Sequence, residues 1–280
     1  MKEVILDTIL DSIKLLPFLF ITFIIIELFE HKFSNKTEEK LSKGGKFGPI
    51  LGSVLGAFPQ CGFSVAATNL YATRIISIGT LFAVYLSTSD EMIPVMIAEH
   101  APVSLIIKVI LIKFLFGILF GFIIDLLIKR KKEVDYHICK DDHCDCEHSN
   151  LFLAAFKHTI NIFIYIFIFT FAINLIMDFG GIKLLEKLFL KDSIFAPFIT
   201  SLIGLIPNCA SSVVLTELYL KDAINFSSLI GGLLSGAGLA IFVLFKTNKN
   251  KKENILILIS LYIIGVISSL ILEVLLKIFA

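Results

Sequence analysis

Charge is scarce in this 280-residue chain. Asp, Glu, Lys and Arg make up 18% of it against 56% apolar residues, where an ordinary soluble domain carries roughly a quarter charged. There is no tryptophan beside 27 phenylalanines, so the aromatic surface reads as lipid-facing and packing material. The net charge of +1 gives no sign of a nucleic-acid partner, and none is expected. The Gly-x4-Gly-Lys-Ser/Thr loop that cradles nucleotide phosphates is missing, which leaves ATP-driven pumping by this chain alone unsupported. Cys-x-x-Cys is missing too, which argues against a membrane-embedded thiol oxidoreductase. No enzymatic activity and no cofactor are expected.

What is present is a series of apolar runs of about 20 residues or more, the length that crosses a bilayer core. The first, residues 4–29, is too long for the apolar part of a signal peptide and has no small-residue cleavage site, so it reads as a retained span. A polar stretch with five lysines follows at 30–46. The apolar segment 47–71 is broken by Pro59-Gln60-Cys61-Gly62, and the segment 75–98 is interrupted by Ser87-Thr88-Ser89-Asp90-Glu91. A span at 103–128 ends in the basic stop Lys129-Arg130-Lys131-Lys132.

The scheme then repeats. A shift of 148 positions, without a gap, lays Phe58-Pro59-Gln60-Cys61-Gly62-Phe63-Ser64 on Ile206-Pro207-Asn208-Cys209-Ala210-Ser211-Ser212. The same shift pairs Pro49 with Pro197, Gly56 with Gly204, Tyr71 with Tyr219, Ser87 with Ser235, Gly117 with Gly265 and Asp125 with Glu273. The chain therefore divides into a first repeat at 1–130, a linker at 131–150 and a second repeat at 151–280. The second repeat holds a span at 151–177, the broken segment 196–220, an interrupted span through Gly231 to Gly238, a basic loop at 246–252 and a last span at 255–279.

Charge decides how the broken segments run. If each Pro-Gln/Asn-Cys segment enters and leaves on one side as a re-entrant hairpin, each repeat has three true crossings, and the second repeat is inverted. Sixteen Lys and Arg then lie on the cytosolic side and six outside, as the positive-inside rule requires. If the segments cross instead, that bias collapses. The expected fold is all-α and polytopic: two inverted repeats, each with three transmembrane helices and one re-entrant broken-helix hairpin. Both termini are expected outside the cytoplasmic membrane and the linker in the cytosol.

Irregular backbone survives in hydrocarbon only where protein or a watery cavity surrounds it, and proline cannot close the helix ladder. Paired breaks in inverted repeats mark the binding site of secondary transporters. The candidate substrate site therefore gathers Pro59, Gln60, Cys61, Ser64, Ser87, Thr88, Ser89, Asp90 and Glu91 from the first repeat. Pro207, Asn208, Cys209, Ser211, Ser212, Glu217 and Ser235 join them from the second. A carboxylate near the bilayer centre costs about 2.5 to 3.5 kcal/mol or more, so Asp90 and Glu91 read as cation ligands or proton carriers. Opened half-helix carbonyls also favour a cation, whereas the half-helix amide ends after each Cys suit an anion. Lys113 lies too deep in its span to snorkel. It aligns with Leu261, while Asp90 and Glu91 align with Gly238 and Leu239, so lysine and carboxylates are absent together from the second repeat. Lys113 is therefore expected to pair with Asp90 or Glu91 when no substrate is bound, and both Lys113 and Asp90 to serve coupling, with protons as the candidate driving ion.

In the linker, His137, Cys139, His143, Cys144, Cys146 and His148 fall within twelve residues together with four acids. Imidazole and thiolate so spaced can collect zinc or a similar ion, and the tract is a candidate accessory metal cluster.

The duplicated Pro-Gln-Cys-Gly and Pro-Asn-Cys-Ala motifs, the Ser-Thr-Ser-Asp-Glu break and the His/Cys/Asp-rich linker together resemble the bacterial heavy-metal exporters once labelled arsenic efflux proteins and now often called manganese transporters. The resemblance covers nearly the whole chain. It implies ten membrane segments, consistent with six crossings and two hairpins counted as four. The layout is also similar to the ion-transporter superfamily of hairpin-bearing carriers, which implies a homodimer and elevator-like alternating access by fold analogy. Membrane lipid and a metal ion are the expected partners. The leading expectation is export of a divalent cation, manganese above all, through Asp90, Gln60 and Asn208, since manganese prefers oxygen ligands. The alternative is efflux of arsenite or another soft metal, with Cys61 and Cys209 as ligands.

Overall fold

The computed structural model describes residues 47–58, 61–89, 92–128, 195–208 and 210–279, with a few helical positions in 17–24 and 156–171. Apart from those positions, the spans expected at 4–29 and 151–177 lie outside the described residues, as does the linker. All regular structure among the described residues is helical. The first half gives α1 (Gly48–Gly56), α2 (Cys61–Ala72), α3 (Ile78–Ser87), α4 (Met92–Ala98) and α5 (Val103–Leu127). The second gives α6 (Ala196–Gly204), α7 (Ala210–Leu220), α8 (Phe226–Ser235), α9 (Ala240–Thr247) and α10 (Lys251–Phe279). Helices α1 and α6, and α3 and α8, begin and end 148 residues apart.

The repeated bounds have repeated local causes. Pro49 and Pro197 stand in the first turns of α1 and α6, where a missing N–H costs nothing. Ser77 caps α3 by accepting from the Thr80 amide at 3.1 Å, and Asn225 caps α8 by accepting from the Ser228 amide at 2.8 Å. Asp125 reinforces the start of α3, taking the Ser77 hydroxyl at 2.7 Å and the Gly79 amide at 2.8 Å; an anion there opposes the positive end of the helix.

Among the described residues, four helical stretches are long and apolar enough to cross a membrane: Ile78–Ala98, Val103–Leu127, Phe226–Thr247 and Lys251–Ile278. The first and third of these are the interrupted spans, α3 with α4 and α8 with α9, and the interruptions fall where the polar or glycine-rich sequence predicts. The protein is a multi-pass membrane protein. Along α5 a lipid-side row of Ile107, Leu111, Leu115 and Leu119 is exposed while Val109, Lys113, Gly117 and Gly121 are buried, the three-and-four spacing of one helix face.

α1 runs beside α3 in the same direction: Gly48 lies against Thr80, Gly52 against Ala83 and Gly56 against Val84 and Ser87. α2 nevertheless ends at Ala72, with only five residues between it and the start of α3. Continuing straight from α1 would carry the chain roughly 30 Å onward, whereas that connection reaches at most about 22 Å. The chain therefore turns back between α1 and α2. The same relation holds in the second half, where Gly204 lies against Gly232 and Ser235 and only five residues separate α7 from α8. Small residues let these backbones approach, the usual basis of helix packing in a membrane.

Each half packs as a three-helix unit, α1, α3 and α5 in one and α6, α8 and α10 in the other. The halves meet reciprocally, α2 against α9 and α4 against α7, around almost wholly buried α3 and α8. Several hydroxyls in this apolar core bond within their own helix. Thr68 donates to the Ser64 carbonyl at 2.7 Å and Thr200 to the Ala196 carbonyl at 2.9 Å.

Candidate functional site

A small cavity lies where the break between α3 and α4 meets the turn between α6 and α7. From the first break come Thr88, Ser89 and Met92, and from α5 comes Lys113. The second half contributes Asn208, Ser211, Ser212 and Leu215 on the hairpin side, and Gly232, Leu233, Gly236 and Gly238 around its own break. Six residues that the sequence marks as substrate-binding or coupling thus line one cavity: Thr88, Ser89, Lys113, Asn208, Ser211 and Ser212.

The donors and acceptors are set by helix ends. Thr88 is the residue that ends α3; its hydroxyl donates back to the Val84 carbonyl at 2.7 Å, and its own carbonyl accepts from the Lys113 ammonium. Lys113 is only 1% exposed, and by bonding Thr88 it satisfies one of the carbonyls that a helix C-terminus leaves unpaired. Ser89 donates to the Ser87 carbonyl at 3.1 Å. Across the cavity Asn208 prefaces α7: its side-chain oxygen lies 3.4 Å from the Ala210 amide, and its carbonyl accepts from the Ser211 hydroxyl at 2.9 Å. The cavity therefore sits between the carbonyl end of α3 and the amide end of α7, with a buried ammonium beside it.

Other expected site residues lie elsewhere. The Ser87 hydroxyl donates to the carbonyls of Ala83 at 2.6 Å and Val84 at 3.2 Å, against Gly56. Its counterpart Ser235 donates to Ser201 at 2.7 Å and Gly232 at 2.9 Å, against Gly204. Both serines occupy helix junctions rather than the cavity wall. Ser64 is fully buried in α2, and Pro207 is half-buried before α7. Glu217 stands toward the far end of α7, paired with Lys221 at 3.0 Å and partly exposed. Cys61 opens α2, with its side chain outside the described residues. Pro59, Gln60, Asp90, Glu91 and Cys209 lie outside them altogether, as do His137, Cys139, His143, Cys144, Cys146 and His148. Asp90 and Glu91 are the two residues between Ser89 and Met92, both of which line the cavity.

The apolar and glycine lining was not foreseen residue by residue. Met92, Leu215 and Leu233 carry no chemical signal in a sequence. Gly238 does, since it adopts a left-handed backbone (φ 53°) that only glycine takes without strain.

No curated protein and no solved structure matches the chain. The family model described as "Putative, 10TM heavy-metal exporter" matches residues 1–181 and again 126–262. Between them the two matches cover most of both repeats, and the chain belongs to this family of heavy-metal exporters.

Proposed function

We propose that the protein is a secondary carrier that exports a divalent metal cation, manganese by the narrowest reading, across the cytoplasmic membrane by alternating access. The observation that carries this is the cavity where a broken span meets a broken hairpin, with polar residues making up half of its lining. Its wall offers hydroxyls, carbonyls and an amide. Asp90 and Glu91 belong to the same break, and with Gln60 and Asn208 they make an oxygen-rich set of the kind manganese prefers. Lys113 is then the internal counter-cation, paired with Asp90 or Glu91 in the empty state, and protonation of Asp90 provides the coupling. Glu217, Ser64, Ser87 and Ser235 act from outside the wall in this conformation. The His/Cys linker collects metal on the cytosolic side, and the carrier works as a homodimer.

Contacts between the halves support an inverted arrangement with re-entrant hairpins. Arg74, just before α3, bonds Asn248, just after α9, so the start of one central span meets the end of the other. At the opposite end Lys108, near the start of α5, lies 4.8 Å from the ring of Phe226 at the start of α8. The two interrupted spans therefore run in opposite directions. The Arg74 contact also brings together two segments whose basic charge the cytosolic assignment requires to share a side.

A second reading has its own support. The amide end of α7 and the Lys113 ammonium both suit a ligand rich in oxygen and electron density, and Cys209 lies between Asn208 and Ser211 in sequence. Arsenite or another soft metalloid, held by Cys61 and Cys209, would use these features. The test is metal-by-metal sensitivity of a deletion strain with cellular metal content measured, repeated with Cys61→Ser combined with Cys209→Ser. Manganese accumulation without the protein, reversed by the double variant, supports the first reading. Arsenite resistance that disappears in the double variant overturns it in favour of the second.

A further inference from the structure

The two ends of the molecule are unequal. At one end the turn after α2 reaches into the other half. The Arg74 guanidinium donates to the Asn248 side-chain oxygen at 3.2 Å and lies 3.4 Å from a carboxylate oxygen of Glu253. Tyr71 donates to the other Glu253 oxygen, and the Asn248 amide donates to the Asn254 side-chain oxygen at 2.6 Å. Arg74 stands over the Tyr71 ring at 5.3 Å and has a left-handed backbone (φ 65°). The neutral members are shut away, with Tyr71 1%, Thr73 2%, Asn248 4% and Asn254 0% exposed, while the side chains of Arg74 and Glu253 are partly exposed, 19% and 12%.

The shift of 148 carries each of these positions to the other end of the molecule. There Lys221 replaces Thr73, Asp222 replaces Arg74, His100 replaces Asn248 and Leu105 replaces Glu253. Lys221, Asp222 and His100 are exposed, and Leu105 offers no carboxylate at the position that matches Glu253. The cavity shares this bias. Among the described residues, its lining includes Met92 of α4 and several residues of α7, whose contact builds the exposed end, and none from α2 or α9, whose contact builds the sealed one.

We infer that the structure is the conformation closed on the Arg74 side, held closed by a latch of Tyr71, Arg74, Asn248 and Glu253. The latch ties the returning arm of the first hairpin to the end of α9 and the start of α10, and substrate reaches that side only when it parts. The lysine distribution makes that side cytosolic. This rests on the alternating-access reading and is independent of which ion is carried.

The test uses accessibility. In a background with the five native cysteines replaced by serine, Ser212→Cys places one thiol on the cavity wall. A membrane-impermeant thiol reagent is applied to right-side-out and inside-out vesicles. With the latch intact, labelling from the Arg74 side is expected to be at least about tenfold slower than from the other side. Glu253→Gln should raise the Arg74-side rate about tenfold, an equilibrium shift of about 1.4 kcal/mol. Arg74→Glu combined with Glu253→Arg should bring the rate back down, which a merely misfolded variant would not do. Equal labelling from both sides with the latch intact, no change in Glu253→Gln, or no recovery in the charge-swapped pair overturns the latch. Because no metal enters the measurement, a wrong substrate assignment leaves these results standing. Labelling from neither side would instead overturn the substrate path and the latch with it.

Discussion

Replacing Lys113 by methionine removes a charge from the cavity and little else, because the two side chains have similar length and shape. Two effects on stability oppose one another. The Thr88 carbonyl loses its bond to the ammonium, and a hydrogen bond to a charged group contributes about 1.5 to 3 kcal/mol. Against this, a lysine deep in a span carries an insertion cost of about 2.5 to 3.5 kcal/mol that the variant no longer bears. The terms nearly cancel, so the variant is expected to insert and fold.

Binding has no such cancellation. Lys113 lines the cavity, so an ion held there lies on the order of 8 Å or less from the ammonium, about the reach of one side chain plus a coordination shell. At an effective dielectric constant of about 20, a single and a double positive charge at that distance repel by about 4 kcal/mol. If neighbouring carboxylates cancel two-thirds of this, about 1.4 kcal/mol remains, a factor of about ten in affinity. Lys113→Met should therefore bind manganese at least about tenfold more tightly and turn over more slowly, since release must overcome the same energy. An anionic ligand reverses the sign and binds more weakly. Equilibrium binding to the purified protein in detergent, paired with transport into vesicles, reads both quantities. A dissociation constant within about a factor of two of the unmodified protein would refute the placement of Lys113 at the substrate.

Three further outcomes follow from the packing and the linker. A methyl group at Gly56 would collide with the Val84 carbonyl and the Ser87 hydroxyl, and one at Gly204 with the Gly232 carbonyl and the Ser235 hydroxyl. Gly56→Ala and Gly204→Ala should each cost about 1 to 3 kcal/mol and lower the thermal unfolding midpoint in detergent. Asp125→Asn removes the anion that holds the start of α3 and should cost about 1 to 2 kcal/mol. Glu273→Gln, at the matching position, breaks only the exposed pair with Lys277 at 2.8 Å and should change stability by less than about 1 kcal/mol. Deleting residues 137–148 should lower the number of zinc ions bound by the purified protein while leaving transport in vesicles unchanged.

The repeat, the interrupted spans and much of the cavity were legible because their causes are local. A capping Ser77 and its counterpart Asn225, or a Gly56 and its Gly204, must recur wherever the backbone recurs, so a shift of 148 finds them. The assignment of individual hydroxyls was less legible. A serine beside a break can face a ligand or bond the carbonyl four residues back, and the composition is the same in both cases. Thr88 and Ser89 reach the cavity wall while Ser87 and Ser235 are taken up by neighbouring carbonyls. Glu217 lies about two turns beyond Ser211 on α7, and only the tertiary placement sends it toward Lys221 at the exposed end. The cluster joining Arg74 to Glu253 spans 179 positions and has no local signature at all.

Duplication by itself would produce two equivalent sites, and the residues show how that equivalence is lost. Where the first break has Thr88 and Ser89, the second has Gly236 and Ala237; where α5 has Lys113, α10 has Leu261. Of the two breaks, the first supplies hydroxyls and the neighbouring ammonium and the second supplies space, since glycine removes the side chains that would fill the same volume. The hairpin side of the wall is one-sided in the same way, with Asn208, Ser211 and Ser212 on it and Ser64 buried in α2. A symmetric pair of sites would place two like charges across a narrow cavity, at a cost of several kcal/mol. Breaking the symmetry at Lys113 and the residues around it leaves one cavity of unequal halves, and the two ends of the molecule differ in the same way: Glu253 faces Arg74 at one, and Leu105 takes the matching position at the other.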